Sequence, residues 1–80
     1  MKVKAKIKER KKGEIIINTD FIRLDSALKL ANLVESGGHA KIIIQAGEVK
    51  VNGEKCFSRG KKLHAGDTFE YNLDLIEVKG

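Results

Sequence analysis

RLDSALKLANLVESGGHAKIIIQAGEVKVNG, residues 23–53, passes from helical to two-residue hydrophobic period, and that change decides the fold. Leu24, Ala27, Leu28, Ala31 and Val34 recur at helical spacing, one face of a first helix over 23–34. Asp25 suits the positive end of that helix, whereas Arg23 is a poor cap. Ser36 is a good cap for a second helix and Gly47 a good stop, which places it over roughly 37–46. Gly37 and Gly38 burden its first turn, by up to ~1 kcal/mol each relative to Ala. His39 stands where a capping box would put Glu. Two short helices so closely joined must pack as a hairpin. The period then drops to two at Val49-Lys50-Val51, and Asn52-Gly53 supplies the positive-φ pair of a tight β-turn.

The run Ile42-Ile43-Ile44 sets the expected packing of the second helix. At about 100° per residue, Ala40, Ile42, Ile43, Ile44 and Ala46 cover an arc of about 200°, wider than a surface helix needs. Burial on two sides is therefore expected, with Ile42 against a strand at 15–17 and only Lys41 and Gln45 on a narrow open stripe.

Working outward, MKVKAKIK at 1–8 alternates lysine with Val3, Ala5 and Ile7, which reads as a strand. ERKKG at 9–13 could turn it into a second strand at 14–18, giving an N-terminal β-hairpin. The alternative is a self-repelling basic arm. On the other side, 54–57 completes the Asn-Gly hairpin with Cys56 as a buried thiol, and 58–62 is a basic loop. Residues 65–67 form a turn, and 68–71 and 75–78 are strands. Residues 1–13 thus read as a basic extension and 14–80 as a single domain.

Eighty residues bury only about 60–65% of the surface the unfolded chain exposes, which leaves no room for a catalytic domain beside a binding module. No apolar run nears the ~20 residues of a membrane span, and the first residues lack the apolar stretch of a secretory signal. The single cysteine excludes an internal disulfide. A monomer in the reducing cytoplasm is the expectation.

Charge is segregated. Residues 1–12 carry seven basic residues and one Glu, and 23–62 eight basic against four acidic. Residues 63–80 hold one Lys against four acids. A one-sided field suits a polyanion; the plainer reading is a solubilising surface. Arg23, Lys29, Lys41, Lys50, Lys55, Arg59, Lys61 and Lys62 lie on or between the helix pair and the Asn-Gly hairpin. Lys50, alternating with two valines, must point away from the core. Of the four aromatics, Phe21, Phe57 and Phe69 fit core positions and Tyr71 is the exception, so stacking rings for a flexible single strand are scarce. That favours structured nucleic acid read through shape and phosphate. His39, Cys56 and His64 lack the tight spacing of a zinc site, and no metal, cofactor or catalytic residue is expected. Ser36-Gly37-Gly38 could hold a phosphate at a helix start, but an ordinary cap with a tight entry is the stronger reading.

In order, Arg-Leu-Asp at 23–25, Ser36 with Ala40-Lys41, Ile43-Ile44, Gly47, Val49 to Gly53, and Ala65-Gly66-Asp67 resemble the S-four RNA-binding domain, named from a small-subunit ribosomal protein. Leu30 to Leu33, Gly37-Gly38 and Arg59 to Leu63 look like the small stand-alone bacterial YaaA-like group. The resemblance covers about residues 15–79. It implies an α+β fold, a two-helix hairpin on a small, mostly antiparallel sheet. It also implies a non-catalytic role in binding structured RNA, ribosomal RNA or tRNA, with the ribosome as a further candidate partner. Carried over by position, the RNA-binding candidates are Arg23, Lys29, Lys41, Lys50, Asn52, Lys55, Arg59, Lys61 and Lys62. The lysine-rich segment 1–12 lies outside the family pattern, and His39 replaces a residue that is often acidic or polar. Alternatives are a factor that binds stalled large ribosomal subunits with trapped tRNA, a DNA-binding module, or a protein adaptor.

Overall fold

The computed structural model describes residues 11–80. Its elements are β1 (Lys11–Ile16), β2 (Ile22–Arg23), α1 (Leu24–Leu30), α2 (Gly37–Gln45), β3 (Val49–Val51), β4 (Glu54–Lys55), β5 (Lys62–Leu63), β6 (Thr68–Tyr71) and β7 (Asp74–Lys79). Five strands form one sheet in the order β1-β7-β6-β3-β4, and β2 pairs with β5 in a separate ribbon. Among the described residues only the β1–β7 pair is parallel. An α+β fold with two helices on a mostly antiparallel sheet is therefore present.

The alternation of each strand sorts its side chains between two faces. Phe69 lies opposite both Val51 and Ile76. With Val49, Val78, Ile15 and Ile17 they form the buried face, closed by Leu24, Ala27 and Leu28 of α1 and Ala40, Ile43 and Ile44 of α2. The opposite face carries Lys50, Lys55 and Glu77, all exposed.

Both helices end as local chemistry dictates. Asn32 at φ 61° and Gly47 at φ 78° are left-handed. Beyond α1, Leu33 N–H donates to the Leu28 carbonyl and Asn32 N–H to that of Lys29; beyond α2, Glu48 and Gly47 repeat the pattern on Ile43 and Ile44. These are paired Schellman ends, one built on Asn and one on Gly. The Asn32 stop makes α1 shorter than the expected 23–34: Val34 is buried, but from the connection rather than the helix. Ser36 caps α2 as expected, its Oγ accepting from His39 N–H at 3.1 Å. His39 Nδ1 in turn accepts from Glu35 N–H at 3.4 Å, a looser counterpart of the missing Glu.

Three further expectations are corrected. Ile42 is 68% exposed. The buried residues Ala40, Ile43 and Ile44 span only about 100°, the stripe of a helix covered on one side. Three consecutive isoleucines cannot all face a single neighbour, and Ile42 is the one turned outward. Lys11 to Gly13, expected in a turn, are strand, because β1 continues its ladder along β7 from Lys11 opposite Asp74. The proposed first arm of the N-terminal hairpin lies outside the described residues. Finally, β4 stops at Lys55, so Cys56 and Phe57 lie beyond the strand; Cys56 is half-buried, its N–H donating to the Val49 carbonyl.

Candidate nucleic-acid interface

The start of α1 explains where the basic loop sits. Arg23 offers no side-chain cap. The first helical N–H groups must find acceptors elsewhere. They find them in the loop: Leu24 N–H donates to the Lys61 carbonyl at 2.9 Å and Asp25 N–H to that of Arg59 at 3.2 Å. The Asp25 carboxylate accepts from Ser26 N–H at 2.8 Å and from the Arg23 guanidinium at 3.2 Å. Arg23 and Lys62 are direct partners in the β2–β5 ribbon. A Cβ on Gly60 would sit 3.7 Å from the Arg23 guanidinium, so that group lies over the loop. Backbone bonds thus pin the segment from Arg59 to Lys62 onto α1 while Arg59, Lys61 and Lys62 stay exposed.

Lys61 also lines an open groove of about 460 Å³ with Lys55, Asn52, Glu54 and Phe57. Lys55 stands directly opposite Lys50 across the β3–β4 pair. Like charges in that position repel. Glu70, opposite Lys50 on its other side, offsets part of this. Arg23 is thus paired with Lys62, Lys50 with Lys55, and Lys55 shares the groove with Lys61. Lys29 and Lys41 are exposed on α1 and α2.

Asn52 has a fixed structural duty. It takes φ 52° in the β-turn. Its Oδ1 accepts from Thr68 N–H at 3.0 Å, and its Nδ2 donates to Asp67 Oδ1 at 3.2 Å. The other Asp67 oxygen accepts from His64 N–H at 2.7 Å. That bond, then the Asn52 amide and the nearby His64 and Lys61 charges, holds the Asp67 carboxyl below its ordinary pKa despite partial burial. One carboxylate thereby straps the Asn-Gly turn to the loop that follows β5.

The aromatic expectation is corrected as well. Phe69 is buried, but Phe57 is 59% and Phe21 38% exposed. The Lys62 ammonium lies 4.8 Å from the Phe21 ring centroid, a cation–π contact, and the His64 ring is tilted beside it at 6.3 Å. Basic and aromatic groups are thus interleaved. Their positions next to Asp20 and Ser58, outside any alternating apolar run, were the available signal.

The family described as S4 domain matches residues 15–79, nearly the whole described fold. The chain belongs to the S4 domain family. This S4 domain is also 46% identical, over 56 residues, to a Bacillus subtilis (strain 168) protein named "Probable ribosome maturation protein RlbA"; the match spans 70% of the present chain and 79% of the relative. Arg23, Lys50, Lys55, Arg59, Lys61 and Lys62 all fall inside the family match. Among its described residues, this S4 domain has no cluster of three His, Cys, Asp or Glu able to hold a metal ion, and no helix long and apolar enough to cross a membrane.

Proposed function

We propose that this S4 domain is a non-catalytic, cytoplasmic binder of structured RNA, and that ribosomal RNA is its target, with tRNA as the neighbouring possibility within the same chemistry. One observation carries the reading: the loop from Arg59 to Lys62 spends its backbone carbonyls on α1 and keeps its cationic side chains exposed, beside Arg23. A loop fixed in this way presents charge at little ordering cost on binding. Lys50 and Lys55 extend the basic line along the sheet edge, where an RNA backbone would relieve their mutual repulsion. Lys29 and Lys41 are further contacts at the margins, and Asn52 serves by shaping the turn. The relative's name, a ribosome maturation protein, supports RNA of the ribosome over DNA.

The test is a salt titration of binding to structured ribosomal RNA. If about five phosphates are engaged, log affinity should fall against log salt with a slope of about −3.5 to −4.5. Replacing Arg59, Lys61 and Lys62 together by Ala should flatten that slope by about 2–3. An unchanged slope with the fold intact would remove the loop from the interface. Tighter binding to duplex DNA than to RNA at equal salt would overturn the RNA reading.

A further inference from the structure

An exposed phenylalanine alone says little, since much protein surface is apolar. Phe57 differs in two respects. Its ring is braced: a Cβ on Gly47 would lie 3.1 Å from Cε2 and 3.3 Å from Cζ, so the bare glycine backbone is what lets the ring rest there. It also lines the groove that holds Lys55, Lys61 and Glu54. The groove volume, about 460 Å³, lies within the ~300–1,000 Å³ range of small-ligand sites. A phenylalanine, two lysines and one glutamate do not make a pure phosphate cleft. The carboxylate would repel a phosphate and accept from an exocyclic amino group. The ring stacks on any base, and the lysines suit the phosphate attached to it.

From this combination we infer that the groove takes one unpaired nucleotide, its base stacked on Phe57 and its phosphate between Lys55 and Lys61. The preferred RNA is then a helix with an extruded nucleotide, the duplex lying along the loop from Arg59 to Lys62. This deepens the RNA-binding reading and rests on it.

The experiment uses two short RNA hairpins, identical except for a single-nucleotide bulge, titrated with the full chain by fluorescence anisotropy at fixed salt. Wild type should bind the bulged hairpin more tightly. Phe57→Ala should weaken the bulged complex by about fivefold to a hundredfold, the usual loss for a stacked base, with the paired complex within about twofold. Phe57→Leu keeps an apolar group on Gly47 but removes the π-face, and should behave like Phe57→Ala; Phe57→Tyr should retain the preference. A fluorescent purine analogue at the bulge should be quenched by wild type and Phe57→Tyr but not by Phe57→Leu. Equal affinity of wild type for the two hairpins, or a Phe57→Leu variant with full preference and quenching, overturns the stacking site while leaving RNA binding in place. Binding to neither hairpin or to ribosomal RNA overturns the RNA reading itself.

Discussion

Gly47→Ala tests two links at once: the left-handed end of α2 and the ring that rests on it. Gly47 has φ 78°. An L-residue pays about 1–2 kcal/mol for that conformation. The new methyl would also meet Phe57 at 3.1 Å. Phe57 is largely exposed, so its ring can swing aside, and the steric cost should be smaller than the backbone cost. Net stability for 80 residues is about 4–12 kcal/mol. A loss of about 1–2 kcal/mol should lower Tm by roughly 5–15 °C in a domain of this size. Gly53→Ala is the matched control: φ is 88°, but a Cβ there meets nothing within 4 Å. Urea and thermal unfolding followed by circular dichroism should rank Gly47→Ala below Gly53→Ala. In a Phe57→Ala background the two should cost the same, because the ring has gone. Gly47→Asn should recover part of the backbone cost, as Asn32 already does at the end of α1. The reasoning fails if both alanine variants stay within about 0.5 kcal/mol of wild type, the range of an ordinary surface change.

Two further outcomes follow from burial and charge. Ile42→Lys should leave stability within about 0.5 kcal/mol, because the side chain already faces solvent, whereas Ile44→Ala should cost about 2–5 kcal/mol; a large loss for Ile42→Lys by urea unfolding would restore the two-sided packing of α2. The Asp67 carboxyl is held below its ordinary pKa, so its contribution to stability is present above the unfolded value of about 3.9 and is lost as pH falls through the lower folded value. The stability gap between wild type and Asp67→Asn should therefore close with acidification below about pH 4, and a gap that stays constant across that window would refute the strap.

The helix pair, both ends of α2 and the Asn-Gly turn were legible in residues 23–53, whereas the stop of α1 at Asn32 was not read. Those signals are local. Ser36 caps an N–H three residues on, and Asn32, Gly47, Asn52 and Gly53 tolerate φ values that most residues avoid. The basic loop was legible too, as a cluster of charge. What held it was not, because its carbonyls bond to Leu24 and Asp25, more than thirty residues earlier in the chain. Arg23, a poor cap by itself, was the only hint that α1 needed a cap from elsewhere. Ile42, Ile43 and Ile44 are chemically identical, and only the side from which neighbours cover α2 decides which of them is buried. The same holds for Phe57 and Phe69. Hydrophobicity marks both for the core, but Phe69 has Val51 and Ile76 across the sheet, while Phe57 lies beyond the end of β4. The sequence by itself determined the local turns, caps and periods, because each depends on the conformational preferences of a few adjacent residues. Only the tertiary structure decided the parallel docking of β1 on β7, the strap from Asn52 to Asp67 and the exposed ring beside two lysines, because each depends on segments that meet only after the chain has folded.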